Sequence, residues 1–220
     1  MQKDNSYTLS RYAKTLVSMA LLTVLAACGS TNYPFSPMDK GQSYKVSSIA
    51  VISGSEGDAS VKLAGFITDG LAQKSSFRVM SQQDIAKRIA NYPAEIAINT
   101  KVKEGEEKPV WFPASEKAKL SAIQAKLKVD YLYVVWNRSV RRVTTSCYNC
   151  GGTTTDYVYP AGNLIEYPGG KVVASTMSVA GSDLSPLALF RDKDYYIVDA
   201  LKDASSDIVD EFTSVTKSRK

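Results

Sequence analysis

Three cysteines and a complete lack of histidine bound the chemistry open to this 220-residue chain. Without imidazole, triads and dyads that use His are excluded, and so are metal sites that require it. Cys147 and Cys150 stand three apart in Ser146-Cys147-Tyr148-Asn149-Cys150-Gly151-Gly152. Redox work needs a thiol of lowered pKa, usually at a helix amino terminus. Here the flanks are rich in Thr and Gly and read as a tight turn between strands. Zinc needs four ligands, and one chain offers two thiolates at this place. The residues favour a disulfide across the tip of a hairpin, stabilising by roughly 2 kcal/mol on the chain-entropy model. A metal shared between chains, an inter-chain disulfide and a thiol–disulfide enzyme stay open.

Two further patterns imitate catalytic motifs. Gly54-Ser55-Glu56-Gly57-Asp58 lies between a strand and a helix, where phosphate loops occur. It lacks the Lys and Ser/Thr of such a loop, and Glu56 and Asp58 repel phosphate. Ser214-x-x-Lys217 has the spacing of penicillin-recognising enzymes but no companion motifs in the chain. The sequence thus points to no catalytic residue, no metal and no dissociable cofactor. Its more informative surface residues are Arg138, Arg141 and Arg142 beside Tyr148, Tyr157 and Tyr159. Arginine and tyrosine on one hairpin form a candidate interface, since both are favoured at binding hot spots. An edge strand guarded by charge accounts for them equally well.

Cys28 has a different setting. It follows a basic segment with Lys3, Arg11 and Lys14, then an apolar run from Leu16 to Leu25, then Ala26 and Ala27. Basic, apolar and small residues in that order make a secretory signal. The uncharged stretch from Thr15 to Ala27 is short of the roughly 20 residues a membrane-spanning helix needs. Leu25-Ala26-Ala27-Cys28 resembles the lipobox of bacterial lipoproteins. The resemblance implies cleavage before Cys28, a diacylglyceryl group on its sulfur and an acyl chain on its nitrogen. One acyl chain binds membranes marginally, at about 0.8 kcal/mol per buried methylene, whereas three make a lasting anchor. Gly29, where lipoproteins kept at the inner membrane typically carry Asp, implies sorting to the outer membrane, facing the periplasm.

Residues 1–27 are then a signal peptide, 28–44 the lipidated cysteine and a short tether, 45–214 one periplasmic domain, and 215–220 a basic tail. Removing the signal leaves 193 of 220 residues, enough for a real core. The net charge of +5 falls to +3 once Lys3, Arg11, Lys14 and Asp4 are gone. So small a surplus argues against nucleic acid as a partner. Gly29 to Gln42, with Pro34 and Pro37, reads as a tether reaching at most about 50 Å.

Within the domain, Lys45–Ile52 reads as a buried strand. A helix follows over Ser60–Lys74 with Val61, Ala64, Ile67 and Leu71 on its inner stripe. Phe77–Met80 is a short strand, and Ser81 to Asp84 resembles a capping box opening a helix limited by Pro93. Residues 94–113 read as a hairpin or long loop. Ser115–Lys128 is a helix with Leu120, Ile123 and Leu127 inward. Val129–Trp136 is the strongest strand, continuing to Thr145. Thr153–Tyr159 returns antiparallel. Asn163–Tyr167 and Lys171–Val179 form another hairpin around a type II turn at Pro168-Gly169. Tyr195–Ser214 is the last helix. The order β-α-β-α-(loop)-α-β-β-β-α predicts an α/β fold, a mixed β-sheet with helices packed on it.

The strand Ile49-Ala50-Val51-Ile52, the segment Phe77 to Ile85, the strand Val129 to Val135 and the hairpin Glu166 to Val173 together resemble a group of periplasmic domains. The group includes the curli-secretion channel lipoprotein, the Pel-polysaccharide export lipoprotein, the outer-membrane activator lipoprotein of penicillin-binding proteins, and the amino-terminal domain of TolB. The resemblance implies a non-catalytic assembly or accessory component of an envelope export or surface-structure system. Its partners would be outer-membrane lipid, other envelope proteins and further copies of itself in a homo-oligomeric ring. An activator of a cell-wall synthase is the alternative, although such a protein needs a long tether to cross the wall mesh. A membrane-spanning hairpin, as in the curli channel, needs one apolar face over about 9–11 residues. Neither Asn137-Ser139-Arg141-Val143-Thr145 nor Arg138-Val140-Arg142-Thr144 supplies one.

Overall fold

The computed structural model describes residues 31–37, 46–97, 112, 114–147, 151–168, 170–184 and 194–217. Six strands form one mixed sheet in the order β1-β6-β5-β4-β2-β3. They are β1 (Thr31–Pro37), β2 (Ser48–Ser53), β3 (Arg78–Val79), β4 (Tyr131–Cys147), β5 (Gly151–Glu166) and β6 (Lys171–Leu184). The described helices are α1 (Asp58–Lys74), α2 (Gln82–Arg88), α3 (Ala114–Leu127) and α4 (Asp194–Lys217). Strand β2 runs parallel to β3 and β4, while the β4–β5, β5–β6 and β1–β6 pairs are antiparallel. The expected α/β class and its mixed sheet are therefore present. None of the described helices is long and apolar enough to cross a membrane.

Alternation along β2 and β4 divides the core in two. Ile49 and Val51 of β2 and Tyr131, Tyr133 and Val135 of β4 join α1 and α4. Ala50 and Ile52 with Leu132, Val134 and Trp136 join α2 and α3 on the other face. Leu120, Ile123 and Leu127 are buried as their spacing predicts. In α1 the stripe is turned: Leu63, Ala64, Ile67 and Leu71 are buried, and Val61 is only half-buried. Each fully buried Leu or Ile contributes roughly 1.5–3 kcal/mol relative to exposure.

Local chemistry sets the ends. Ser81 caps α2, its hydroxyl accepting from the Asp84 N–H at 3.1 Å and donating to the Asp84 carboxylate at 2.9 Å. That helix stops at Arg88, ahead of the cis Tyr92–Pro93 bond. Lys128 ends α3 in the left-handed region, φ 54°. Asp130 then accepts from the hydroxyls of Ser47 and Ser48, tying the start of β4 to the start of β2. Those hydroxyls, with Arg78 nearby, hold its carboxyl below the ordinary range.

Three expectations change. Residues 31–37 are not free tether: they form β1, which pairs with β6 from Thr31 opposite Val179 to Pro37 opposite Ala174. An irregularity between Tyr33 and Ser36 takes up Pro34, which has no N–H to give the ladder. The second and third pieces of the carboxyl-terminal sheet, Thr153–Tyr159 and Asn163–Tyr167, are one 16-residue strand, β5. Pro160 sits within it opposite Asn137, where β4 bulges. Gly170 of the β5–β6 turn is left-handed, φ 63°, while Gly169, on which the expected type II turn rests, lies outside the described residues. Helix α4 continues through Lys217, so Ser214 lies inside it and donates to the Glu211 carbonyl at 2.7 Å. Residues 98–111 and 113 lie outside the described residues.

Candidate interface on the long hairpin

Strands β4 and β5 outrun their neighbours. They pair from Tyr131 opposite Glu166 to Cys147 opposite Gly151. On one side β2 stops at Ser53, opposite Val135. On the other, β6 stops at Leu184, opposite Thr154. Past Ser53 the sheet continues as an arm of β4 and β5 with β6 alongside as far as Thr154, and only the last residues of the β4–β5 pair pass β6. A bulge between Asn137 and Val140 starts the arm. There the Asn137 N–H donates to the Ser60 hydroxyl and its side-chain oxygen accepts from the Tyr159 N–H, both at 3.0 Å.

Register assigns the arginines to opposite faces. Residues directly opposite in an antiparallel pair share a face. Arg142 faces Asp156 and Arg141 faces Tyr157. Asp156, one place from Tyr157, shares the α1/α4 face with Val158 and is 1 % exposed. Arg142 Nε and a terminal nitrogen donate to its two oxygens at 2.7 and 2.6 Å. This fork-to-fork pair raises the Arg142 pKa, first by the hydrogen bonds and then by the charge of Asp156. Arg142 is thereby engaged in neutralising a buried carboxylate, which departs from its expected place in the interface set.

Arg141 lies on the other face with Tyr157 and Tyr159. Arg138 and Arg141 are exposed, and both tyrosines are half-buried. The Tyr157 ring lies across Gly181 of β6, where a Cβ would come within 2.9 Å of it. The apolar cluster beneath α2 and α3 reaches along this face to Ala161 of β5 and Met177 of β6. Arg141, Tyr157 and Tyr159 lie past that limit. Thr145 and Thr153 join hydroxyls at 2.9 Å near the tip, and Thr155 donates to Asp183.

Cys147 ends β4, its backbone paired with Gly151, which leaves three residues to join the strands, as a tight turn requires. Tyr148, Cys150 and Cys28 lie outside the described residues, and the pairing of Cys147 with Cys150 stays an expectation. Sequence reasoning misses Asp156 as a functional neighbour. With the turn centred on Asn149, position 142 must oppose 156, so the signal is present in the spacing.

The Gly54–Asp58 loop opens at the carboxyl end of β2, where ligands settle in many α/β sheets. Here that cleft is filled from within. The Tyr92 hydroxyl accepts from the Ser53 N–H at 3.0 Å and donates to Gln82 at 2.9 Å. Gln82 in turn donates to the Val51 carbonyl and the Thr68 hydroxyl. Burial pushes the Tyr92 pKa up. Ile96 donates its N–H to the Gly54 carbonyl at 3.2 Å.

A second charged feature is on α4. Asp199, Asp203 and Asp207 recur every four residues. Burial and the two flanking carboxylates raise the Asp203 pKa. Asp199 accepts from the Ser182 hydroxyl at 3.1 Å.

No protein-family model matches this chain, and no curated protein does. Among solved structures it is similar to a minor lipoprotein from Acinetobacter baumannii, at 8 % identity over 78 % of this chain and 95 % of that one, TM-score 0.46. It is similar to the PelC dodecamer from Paraburkholderia phytofirmans, at 14 % identity over 81 % and 97 %, TM-score 0.41. It is also similar to lipoprotein GNA1162 from Neisseria meningitidis, at 10 % identity over 76 % and 99 %, TM-score 0.40. Two of these neighbours are named as bacterial lipoproteins, and the likeness at this distance is one of fold.

Proposed function

We propose that this chain is an outer-membrane lipoprotein, anchored through acyl chains on Cys28, that holds a non-catalytic α/β domain against the periplasmic face of the membrane. There it serves as an assembly or accessory component of an envelope export or surface-structure system. Its partners are lipid, other envelope proteins and further copies of itself. The observation that carries this reading is the join between sequence and fold. A lipobox-like segment ends at Cys28, and sheet pairing begins at Thr31.

Only Gly29 and Ser30 then separate the acylated residue from the domain. A tether of that length disfavours an activator that must reach a cell-wall synthase through the wall mesh. A thiol–disulfide enzyme is disfavoured by the place of Cys147 in the chain, at the end of a strand and not at the start of a helix, where a thiol pKa is usually lowered. Cell fractionation of the full-length protein tests the anchor. The native chain is expected with outer membranes and Cys28→Ser in the soluble periplasmic fraction. A Cys28→Ser chain that is processed normally and stays with membranes overturns the reading.

A further inference from the structure

We infer that the face of the β4–β5 arm turned away from α1 and α4 lies against the phosphate headgroup layer of the membrane that holds the protein. The inference rests on the lipid anchor proposed above and adds an orientation and a contact surface to it. Strand β1 enters beside Val179 and leaves beside Ala174. Thr31 is therefore the end of β1 nearer Leu184, on the side from which the arm projects. Cys28 is three residues before Thr31 (31 − 28), so it lies at most about 11 Å from it.

The arm reaches farther. Val158 faces Ala180 and Ala161 faces Met177, which sets Tyr159 level with Val179 and so with the start of β1. Gly151 is eight residues from Tyr159 (159 − 151), or about 26 Å along a strand. The tip thus passes the farthest position of Cys28 by about 15 Å, from the same rise per residue. The headgroup layer on each side of a bilayer is only about 5–7 Å deep, the difference between total and hydrocarbon thickness halved. Strands standing upright on the membrane would drive the tip through that layer into hydrocarbon. Strand β4 has no neighbour on its outer edge there among the described residues, and open sheet edges are not tolerated in lipid. The sheet must lean, so that the arm lies along the surface.

Of its two faces, the one away from α1 and α4 suits phosphate headgroups. It carries Arg141, Val143, Thr145, Thr155, Tyr157 and Tyr159, with exposed Asp183 of β6 opposite Thr155. Arginine binds phosphate in a fork, and tyrosine is enriched at membrane–water interfaces. The carboxylate of Asp156 is turned to the opposite face and held by Arg142. Asp183, at the end of β6, is bound by the Thr155 hydroxyl.

The test uses the full-length acylated protein in vesicles of phosphatidylethanolamine and phosphatidylglycerol, with bromine on the acyl chains near the carbonyls. A tryptophan is introduced at exposed Thr145 on the arm, or at exposed Tyr167 at the opposite end of the sheet. Emission is compared with that of the parent protein, which contains two tryptophans. Brominated lipid is expected to remove about half of the emission added by Thr145→Trp, because an indole at interfacial depth is within reach of the quencher. It should leave that of Tyr167→Trp unchanged, and Arg141→Gln should weaken the quenching at Thr145→Trp. Protein that floats with vesicles while both probes stay unquenched overturns the inference and leaves the anchor standing. Protein that fails to float overturns both. An unquenched Thr145→Trp, together with a Thr145→Cys chain that forms a disulfide between copies when an oxidant is added, assigns this face to a second chain and overturns the headgroup contact.

Discussion

Gly162→Ala tests what fixes the arm to the body of the sheet. Gly162 of β5 lies between Val135 of β4 and Thr176 of β6. A Cβ there would stand 2.7 Å from Cε2, Cζ and the hydroxyl oxygen of Tyr133. Ordinary contact begins near 3.4 Å, so something must move by more than half an ångström. Tyr133 is fully buried, packs on Phe212 at 6.0 Å between ring centroids, and shares a hydrogen bond with Thr176. Overpacking of a filled core costs about 1–3 kcal/mol, and loss of the Tyr133–Thr176 bond adds about 1 kcal/mol. The expected destabilisation is about 2–4 kcal/mol, or about 4–16 °C in Tm for a domain of this size. Urea unfolding followed by circular dichroism gives the value. Tyr133→Leu in the same chain removes the clash, so a double-mutant cycle should return a coupling of about 1–2 kcal/mol. A Gly162→Ala protein within about 0.5 kcal/mol of the parent, the range of neutral surface changes, would refute the packing argument.

Other perturbations follow the same physics. Asp203→Asn should stabilise the protein at neutral pH by about a few tenths of a kcal/mol, the scale of like-charge pairs four apart on a helix. The sign follows from the raised folded-state pKa of Asp203: folding binds its proton, so its stability deficit is full above that pKa and vanishes below the unfolded value of 3.8. Unfolding curves of the two proteins should therefore converge in acid. Asp130 behaves oppositely, its lowered pKa contributing stability at neutral pH that is lost as pH falls through the folded value, so Asp130→Asn should flatten the acid limb. Arg142→Met leaves Asp156 buried without its partner and should speed hydrogen exchange along 141–157 while α3 stays protected. Ser81→Ala should cost about 1 kcal/mol through loss of the α2 cap, measured by the same unfolding assay.

Much of this molecule is legible in the chain, and the failures have definite causes. Helix α3 and the start of β4 can be read because Leu120, Ile123 and Leu127 follow a helical period and Tyr131 to Trp136 is an apolar run fit for two covered faces. Strand β1 cannot, since its two prolines and polar residues suggest a tether. It forms because β6 offers an open edge, a property of the partner strand that local sequence does not contain. Pro160 suggests a break in β5, but the β4 bulge opposite it absorbs the missing N–H. Proximity in sequence groups three arginines into one interface. Period-two alternation sends Arg142 to the other face, where a buried carboxylate engages it.

The central claim is the lipid on Cys28, because the address of the domain and the posture of its arm both depend on it. Intact-mass and amino-terminal peptide mass spectrometry of protein extracted from native membranes tests it directly. The expected result is a mature chain whose first residue is Cys28, carrying a diacylglyceryl group on its sulfur and an amide-linked acyl chain on its nitrogen. A chain cut elsewhere, or one that begins at Cys28 with a bare thiol and amine, would contradict it.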